Sequence, residues 1–357
     1  MQPTPVTPNC PVHCVDLAKE KFQEHSFSHS GECLKRRTLT RTQFVRLFAD
    51  PQLLRGLIVM EACASANHWC RRFEALGHRA LQLPAQFVAQ HRIGSKNDGN
   101  DADAIYATHC DTRVRPVPTK TLAQQDLAAL HSARYLLLKQ RVQLSNQIRG
   151  LLAERDCVAA QGARGFEALL SQAASGEEAE VTEPLLAVIA IQLQLLRHVE
   201  RQLAELDGEV EQLARQLPQA RLLTSIFGVG PLIATAFVAE YGAGVARYAD
   251  ARQFAASLGL VPREHSSGKT RWLGGITKRG DAERRRLLVQ GASSVVRHCQ
   301  PRQDPLSVLA RRLLERHKCH KVVTLAVANR LARIIYAVLK HGQASRLAPP
   351  GRPLLAA

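Results

Sequence analysis

LIVMEACASANHWCRRFEALGHRALQL, residues 57–83, decides how the first part of the chain folds. Leu57 to Met60 is a short β-branched, fully apolar run of the kind buried inside a sheet, and Glu61 follows it at once. Ala64 to Leu76 carries helical spacing, and Gly77 is placed to close it. His78 to Leu83 then reads as a second strand, so the stretch predicts a strand–helix–strand unit with parallel strands. Upstream, Val12 to Leu17 is another apolar strand containing Asp16 near its end. Phe27–Ser30 and Arg37–Thr40 suggest two more strands around a turn at Gly31. Arg41 to Ala49 spaces Phe44, Leu47 and Phe48 as a helix does, with Asp50-Pro51 as the stop, and a further helix begins near Asp98. The order β-β-β-α-β-α-β-α predicts a mixed sheet with helices on its faces.

Beyond residue 118 the patterns are helical. Residues 121–156 and 183–217 are long amphipathic stretches. In the second, Leu186, Ile189, Leu193 and Leu196 begin a 3-4-3 pattern, which Val199, Leu203, Leu206, Val210, Leu213 and Leu217 continue. This is a coiled-coil seam with one slip near Leu196. In the first, Leu127, Leu130, Leu137, Leu144, Ile148 and Leu151 form a related stripe, interrupted by Arg134 and Arg141. With the Gly- and Glu-rich segment 159–180 read as a loop, the pair predicts an antiparallel arm or a plain helical spacer. Residues 222–345 are helical again, broken by a Gly-, Ser- and basic-rich stretch from Pro262 to Gly280. The tail after Gly342 is rich in Pro and small residues and is expected to fray. The expected divisions are 1–118, 119–217, 218–345 and a tail, 346–357.

Charge is distributed unevenly. The chain has 48 Lys plus Arg against 31 Asp plus Glu, a net of +17. Residues 261–357 alone hold 20 basic and 5 acidic side chains. A field so concentrated points to a polyanion, with nucleic acid as the first choice and a solvated basic face as the plain alternative. No run of 18 apolar residues predicts a membrane span, and Met1 to Cys10 lacks the pattern of a secretory signal. The nine cysteines are odd in number and contain no CxxC pair. Reduced thiols and a cytoplasmic site of action are therefore expected. His109, Cys110 and His131 do not sit at metal-finger spacing.

Two regions carry candidate chemistry. Asp16 and Glu61 fall at strand ends, while Asp98 and Asp101 are three apart at a helix start and share a face. Four hard oxygen donors converging on one sheet edge suit Mg²⁺ at a phosphate. Each is also an ordinary cap or surface charge, and Asp103 competes from another face. In LLTSIFGVGPLIATAFVAE, residues 222–240, Gly228-Val229-Gly230-Pro231 predicts a helix-hairpin-helix turn able to hold a phosphate, or a tight turn with no ligand. LGLVPREHSSGKTRWLGGITKRGDAERRR, residues 258–286, sets Ser266 and Ser267 among Arg263, Lys269, Arg271, Lys278, Arg279, Arg284, Arg285 and Arg286. Such cations favour a serine attacking a phosphate. On the chemistry alone, Ser-Ser-Gly is a flexible loop.

Taken together and in order, VDLAKEKF around Asp16, VMEACASANHW around Glu61, KNDGNDADAI around Asp98 and Asp101, LSNQIRGLL, GVGPLIATAF and the Ser-Ser-Gly stretch resemble one family. It is the Asp-Glu-Asp-Asp transposases of insertion sequence 110, in the 1111 branch, and the resemblance covers about residues 12–300. It implies an N-terminal RuvC-like, ribonuclease-H-type domain, a coiled-coil segment, and a mainly helical C-terminal transposase domain. It implies Mg²⁺ (or Mn²⁺) held by Asp16, Glu61, Asp98 and Asp101. It also implies a nucleophilic serine, Ser267 with Ser266 as the fallback, that forms a phosphoserine link to DNA. Recombination of donor and target DNA would be guided by a structured non-coding RNA, by a dimer or tetramer acting at the nucleoid. Arg134, Arg141 and Arg149 are the expected RNA contacts, and Arg311, Arg312, Lys318 and Lys321 form a further basic group. The sequence departs from the family pattern at Ala64, which stands where a glycine is usual. The rival readings are a RuvC-like metal-dependent nuclease with no serine chemistry, and a non-enzymatic nucleic-acid-binding protein.

Overall fold

The computed structural model describes residues 10–95, 98–175, 181–268, 270–316 and 319–344. The chain forms two compact units. The first is residues 1–122 with a return segment, 243–249; the second is residues 123–242 with 250–357.

The first unit is built on β1 (Val12–Asp16), β2 (Lys21–Phe27), β3 (Cys33–Thr40), β4 (Leu57–Glu61) and β5 (Arg79–Leu83). They form one sheet in the order β3-β2-β1-β4-β5. β1-β2 and β2-β3 are antiparallel, while β1-β4 and β4-β5 are parallel. Four helices cover the sheet: α1 (Arg41–Ala49), α2 (Ala66–Ala75), α3 (Ala85–His91) and α4 (Asp98–Cys110). One face packs Val15, Phe22, Ile58 and Met60 against Phe44 and Phe48 of α1 and Trp69 and Phe73 of α2. The other packs Cys14, Phe27, Val59 and Leu83 against Val88 of α3 and Ala104 and Ile105 of α4. Both faces are covered, so the central β4 is apolar on both sides and reads as a continuous run, whereas β1 carries the buried, hydrogen-bonded His13.

α1 begins where expected because Thr40 caps it: Thr40 accepts from the Gln43 backbone N–H, and the Gln43 side chain accepts from the Thr40 backbone N–H. Gly77, at φ +85°, ends the turn after α2. The second and third strands differ from expectation. They are Lys21–Phe27 and Cys33–Thr40 rather than Phe27–Ser30 and Arg37–Thr40, although Gly31 does make the turn, at φ +93°. The reason is a polar strand interior. Glu24, His25 and Ser26 are buried and hydrogen-bonded to one another and to neighbours, so apolar spacing does not reveal the strand. α3 was not expected either; its seven residues are too few to show a period.

The second unit is mainly helical. α5 (Leu122–Ala153) and α7 (Glu183–Gln216) are the two long helices, and α6 (Ala163–Ser175) lies between them. The segment read as a loop, 159–180, therefore contains a helix. Leu169 and Ala173 of α6 are buried with Ile148 and Leu152 of α5 and Ile189 and Leu196 of α7. On α7 the buried positions Ile189, Leu196, Val199, Leu203 and Val210 are those of the expected seam. α8 (Pro218–Thr224), α9 (Pro231–Tyr241) and α10 (Ala251–Ser257) follow. Then come β6 (Pro262–Ser267) and β7 (Thr270–Ile276), paired as a two-stranded antiparallel hairpin, and α11 (Ala282–Arg297), α12 (Pro305–Arg316) and α13 (His320–His341). α13 is the one described helix long and apolar enough to cross a membrane. Here it is a core helix, with Val323, Val327, Leu331 and Ile335 fully buried. None of the nine cysteines is in a disulfide.

Candidate active site

β1 and β4 lie side by side, parallel, with Val15 opposite Met60. Asp16 and Glu61 are the next residues on each strand, so two carboxylates stand together at the carboxyl ends of adjacent strands. Side chains alternate along a strand. Cys14 and Val59 point to the α3–α4 face, so Asp16 and Glu61 do too. Both are partly exposed. α4 crosses that same face, bringing its N-terminal turn, with Asp98 and Asp101, to the unit that carries the pair. The Asp98 side chain lies outside the described residues. Asp101 is buried and paired with Arg92, a partner the sequence gave no reason to choose. Among the described residues no three acidic, His or Cys side chains close on one point.

Asp103 is separated from this group by its helical phase. Its carboxylate accepts from His25 Nδ1 at 2.7 Å and from Arg36 at 3.1 Å. On the opposite face, Glu24 is fully buried and accepts from His13 Nδ1 (2.8 Å) and from the Ser26 hydroxyl. Burial opposes its charge, but the hydrogen bonds from His13 and Ser26 outweigh it and hold its carboxyl below the usual range. Burial pushes the Cys14 thiol well above its usual value and the Cys70 thiol to about 11, so neither is a nucleophile or thiolate ligand. His109 is held below its ordinary value by burial and by Arg79.

In the second unit, the stretch read as a flexible Ser-Ser-Gly loop is an ordered hairpin. Gly268, at φ +57°, takes the first turn position, where a tight hairpin needs a left-handed residue. Ser266 pairs across the ladder with Arg271, and Ser267 with Thr270. The two serines therefore face opposite sides. Ser266 donates to Glu264 Oε1 (2.9 Å), which also accepts from Arg271 Nε (3.0 Å). Ser267 lies on the other face with Arg263, His265 and Trp272, and is exposed. Glu264, His265 and Trp272 were not singled out from the sequence. Pairing across strands, which a single sequence does not display, is what brings them beside the serines.

The hairpin base is clamped. Thr277 donates to the Val261 carbonyl and Lys278 to the Gly259 carbonyl. A side chain at Gly259 would meet the Arg279 backbone at 2.4 Å, and one at Gly280 the Ser257 carbonyl at 1.9 Å. Arg285 donates to the carbonyls of Leu258 and Arg279 at 3.1 and 3.0 Å. Arg284 pairs with Asp281, and Arg286 lies over the Tyr135 ring. These three arginines serve the unit's own packing, whereas Arg263, Arg271, Lys278 and Arg279 are exposed. Lys269 lies outside the described residues. Arg134 is paired with Asp207, and Arg149 donates to the carbonyls of Ala159, Ala160 and Gly162, while Arg141 is exposed. Arg311 donates to the carbonyls of Cys299, Gln300 and Arg302, whereas Arg312 and Lys321 are exposed; Lys318 lies outside the described residues.

The two glycines between α8 and α9 differ. Gly228, at φ +89°, packs on α11, where a side chain would meet Val295 at 2.5 Å and the Gly291 carbonyl at 3.0 Å. Gly230 is exposed at the start of α9, with open space around it.

Residues 14–155 match the family model described as a DEDD transposase of IS110 type, and residues 220–306 match that of the IS116/IS110/IS902 transposase family. A probable family 20 transposase of Pseudomonas aeruginosa is 38% identical, covering 92% of this chain and 96% of its own. The transposase for insertion sequence element IS1111A of Coxiella burnetii is 35% identical over 93% of this chain and 90% of its own. That for IS1328 of Yersinia enterocolitica is 33% identical over 94% and 98%. The chain belongs to the IS110/IS116/IS902 family of insertion-sequence transposases. The transposase is thus an enzyme that transfers DNA. Its first matched region holds the Asp16–Glu61 pair and α4. Its second holds the glycine turn, the serine hairpin and all of α11.

Proposed function

We propose that this transposase cuts and rejoins DNA through a covalent bond to Ser267, with Asp16, Glu61, Asp98 and Asp101 as its metal-binding carboxylates. The observation that carries the reading is the exposure of Ser267 on a clamped hairpin, on the face away from Glu264. In the first step Ser267 Oγ bonds to the scissile phosphorus, the bond to one strand end breaks, and the departing oxygen takes up a proton. In the second, the hydroxyl of the new strand attacks the phosphoserine, and Ser267 recovers its proton. The phosphodiester count is unchanged, so no external energy source is needed. Arg263, Arg271, Lys278 and Arg279 hold the backbone phosphates.

The donor chemistry of the first unit fits Mg²⁺: hard carboxylate oxygens, two of them side by side and reachable by water. When bound, the ion supplies Lewis-acid stabilisation at the phosphate. Arg92 must release Asp101 for that carboxylate to join. The order β3-β2-β1-β4-β5, three antiparallel strands followed by parallel ones, supports a RuvC-like, ribonuclease-H-type domain. α8 and α9 serve as the helix-hairpin-helix, and α5 and α7 as the coiled-coil arm of a dimer or tetramer.

A structured RNA from the element's flank pairs with donor and target DNA in this reading, supported by the net charge of +15 over residues 261–357. Sequence is then read by base pairing while the protein holds backbone and shape. Such an enzyme acts at the nucleoid.

The test combines the protein with its flank-derived RNA, matched donor and target DNA, and Mg²⁺, resolved on a denaturing gel. A protease-sensitive protein–DNA adduct, absent from Ser267→Ala and from Asp98→Ala, is expected. Cleavage without an adduct that survives both Ser267→Ala and Ser266→Ala would replace this reading with a metal-dependent RuvC-like nuclease, which the Asp16–Glu61 pairing favours. Salt-sensitive binding with no cleavage would leave a binding protein only.

A further inference from the structure

The hairpin presents an aromatic face that the strand-transfer reading does not use. Trp272 is 59% exposed, whereas the chain's other tryptophan, Trp69, is 1% exposed. The indole is held in place. Its six-membered ring lies over Gly274, close enough that a Cβ there would touch it at 3.5 Å. The His265 ring flanks it across the ladder, with centroids 5.5 Å apart and a tilt of 44°. The indole thus sits against Gly274 and still leaves more than half of its surface open. Ser267 stands on the same hairpin face, two cross-strand pairs nearer the turn.

Charge selects the occupant. Glu264 is the one carboxylate between Pro262 and Ile276, and it is on the opposite face, bound by Ser266 and Arg271. The aromatic face carries Arg263 and no acid. An aromatic plane beside an arginine and free of carboxylates matches a nucleotide, whose base stacks while its phosphate meets the charge. A paired base offers no free face, because its neighbours in the helix cover it, so the nucleotide must be unstacked.

We propose that Trp272 and His265 form a stacking platform for one unpaired base of a nucleic-acid strand, next to the phosphate that Ser267 attacks. The placement beside the scissile phosphate rests on the serine reading above; the binding of an unpaired base does not.

The experiment uses the full-length Ser267→Ala protein, so that binding is read without chemistry. The probe is an oligothymidylate of about 12 nucleotides, within the usual span of single-strand sites. Its addition is expected to quench the exposed indole and shield it from acrylamide, while a duplex of equal length and salt does so far less. Trp272→Ala is expected to weaken oligothymidylate binding about 10-fold, and Trp272→Phe to stay within about threefold of the parent, as stacking magnitudes imply. Equal affinity of Trp272→Ala and parent overturns the proposal. So does an indole shielded, without oligonucleotide, in proportion to protein concentration, because a second copy would then cover the face. Failure of the protein that retains Ser267 to form the adduct, with the stacking intact, would overturn the serine reading alone.

Discussion

Ser266 and Ser267 are adjacent in the chain and face opposite sides of the β6–β7 hairpin. Ser266 donates to Glu264, which Arg271 also holds, while Ser267 is turned to the His265–Trp272 face. The doubled serine is therefore two residues with different surroundings, although the motif presents them as equivalent.

Ser266→Ala removes a surface hydrogen bond and is expected to leave adduct formation within about threefold of the parent, because exposed hydrogen bonds are worth little. Ser267→Ala is expected to reduce it by about 10³-fold or more, as loss of a nucleophile does. Quantified adduct from a denaturing gel checks both. A larger loss in Ser266→Ala than in Ser267→Ala would reverse the assignment.

Gly228→Ala and Gly230→Ala should separate packing from binding. At Gly228 a methyl meets Val295 and the Gly291 carbonyl, and the backbone is left-handed, so a loss of about 2–4 kcal/mol is expected. At Gly230 the backbone is extended and the space open, so stability should change by less than about 0.5 kcal/mol. Urea unfolding measures both. DNA binding by the stable Gly230→Ala protein then reports whether this turn touches phosphate.

His131 gives stability a pH dependence. Burial first, then Arg284 and Arg134, lower it from the ordinary 6.5 to about 4. Neutral His131 donates from Nε2 to the Thr235 hydroxyl (3.0 Å), which donates to the Pro231 carbonyl (2.8 Å). Because the unfolded chain takes up this proton first, stability is full above pH 6.5 and falls as pH drops towards 4. The slope is at most about 1.4 kcal/mol per pH unit. His131→Leu should flatten unfolding free energy between pH 6.5 and 4.5, and an unchanged slope would refute the assignment.

Glu24 titrates in the same sense but at lower pH. Its lowered carboxyl favours the folded state above the unfolded value of 4.5, and that contribution is lost as pH falls through the folded value. His13→Ala leaves a buried carboxylate short of a donor. It should cost about 3 kcal/mol in thermal or urea unfolding, in the range for breaking a buried pair. Asp103→Asn, at a partly exposed ion pair with His25 and Arg36, should cost less.

Much of this protein was legible in its sequence. The continuous apolar run Leu57–Met60 announced a central strand because both faces of the sheet are covered. Asp50-Pro51 and Gly77 marked helix ends locally. The seam of α7 was legible because its buried positions repeat at helical spacing. β2 was not, since between Phe22 and Phe27 its buried residues are polar, held by His13 on β1, Asp103 on α4 and one another. α6 was obscured by the glycines and glutamates on either side of it.

What the sequence determined by itself is whatever depends on neighbours along the chain: helix caps, strand runs, the basic C-terminal region, and the ordered motifs that mark an insertion-sequence transposase. What only the tertiary structure decided is pairing across strands and helices. Register set Asp16 beside Glu61, gave Ser266 to Glu264, and turned Ser267 towards Trp272. Packing took Arg284, Arg285 and Arg286 into the unit's own contacts and left Arg263 and Arg271 exposed. These outcomes depend on residues brought together from distant parts of the chain, and no local spacing encodes which of them will meet.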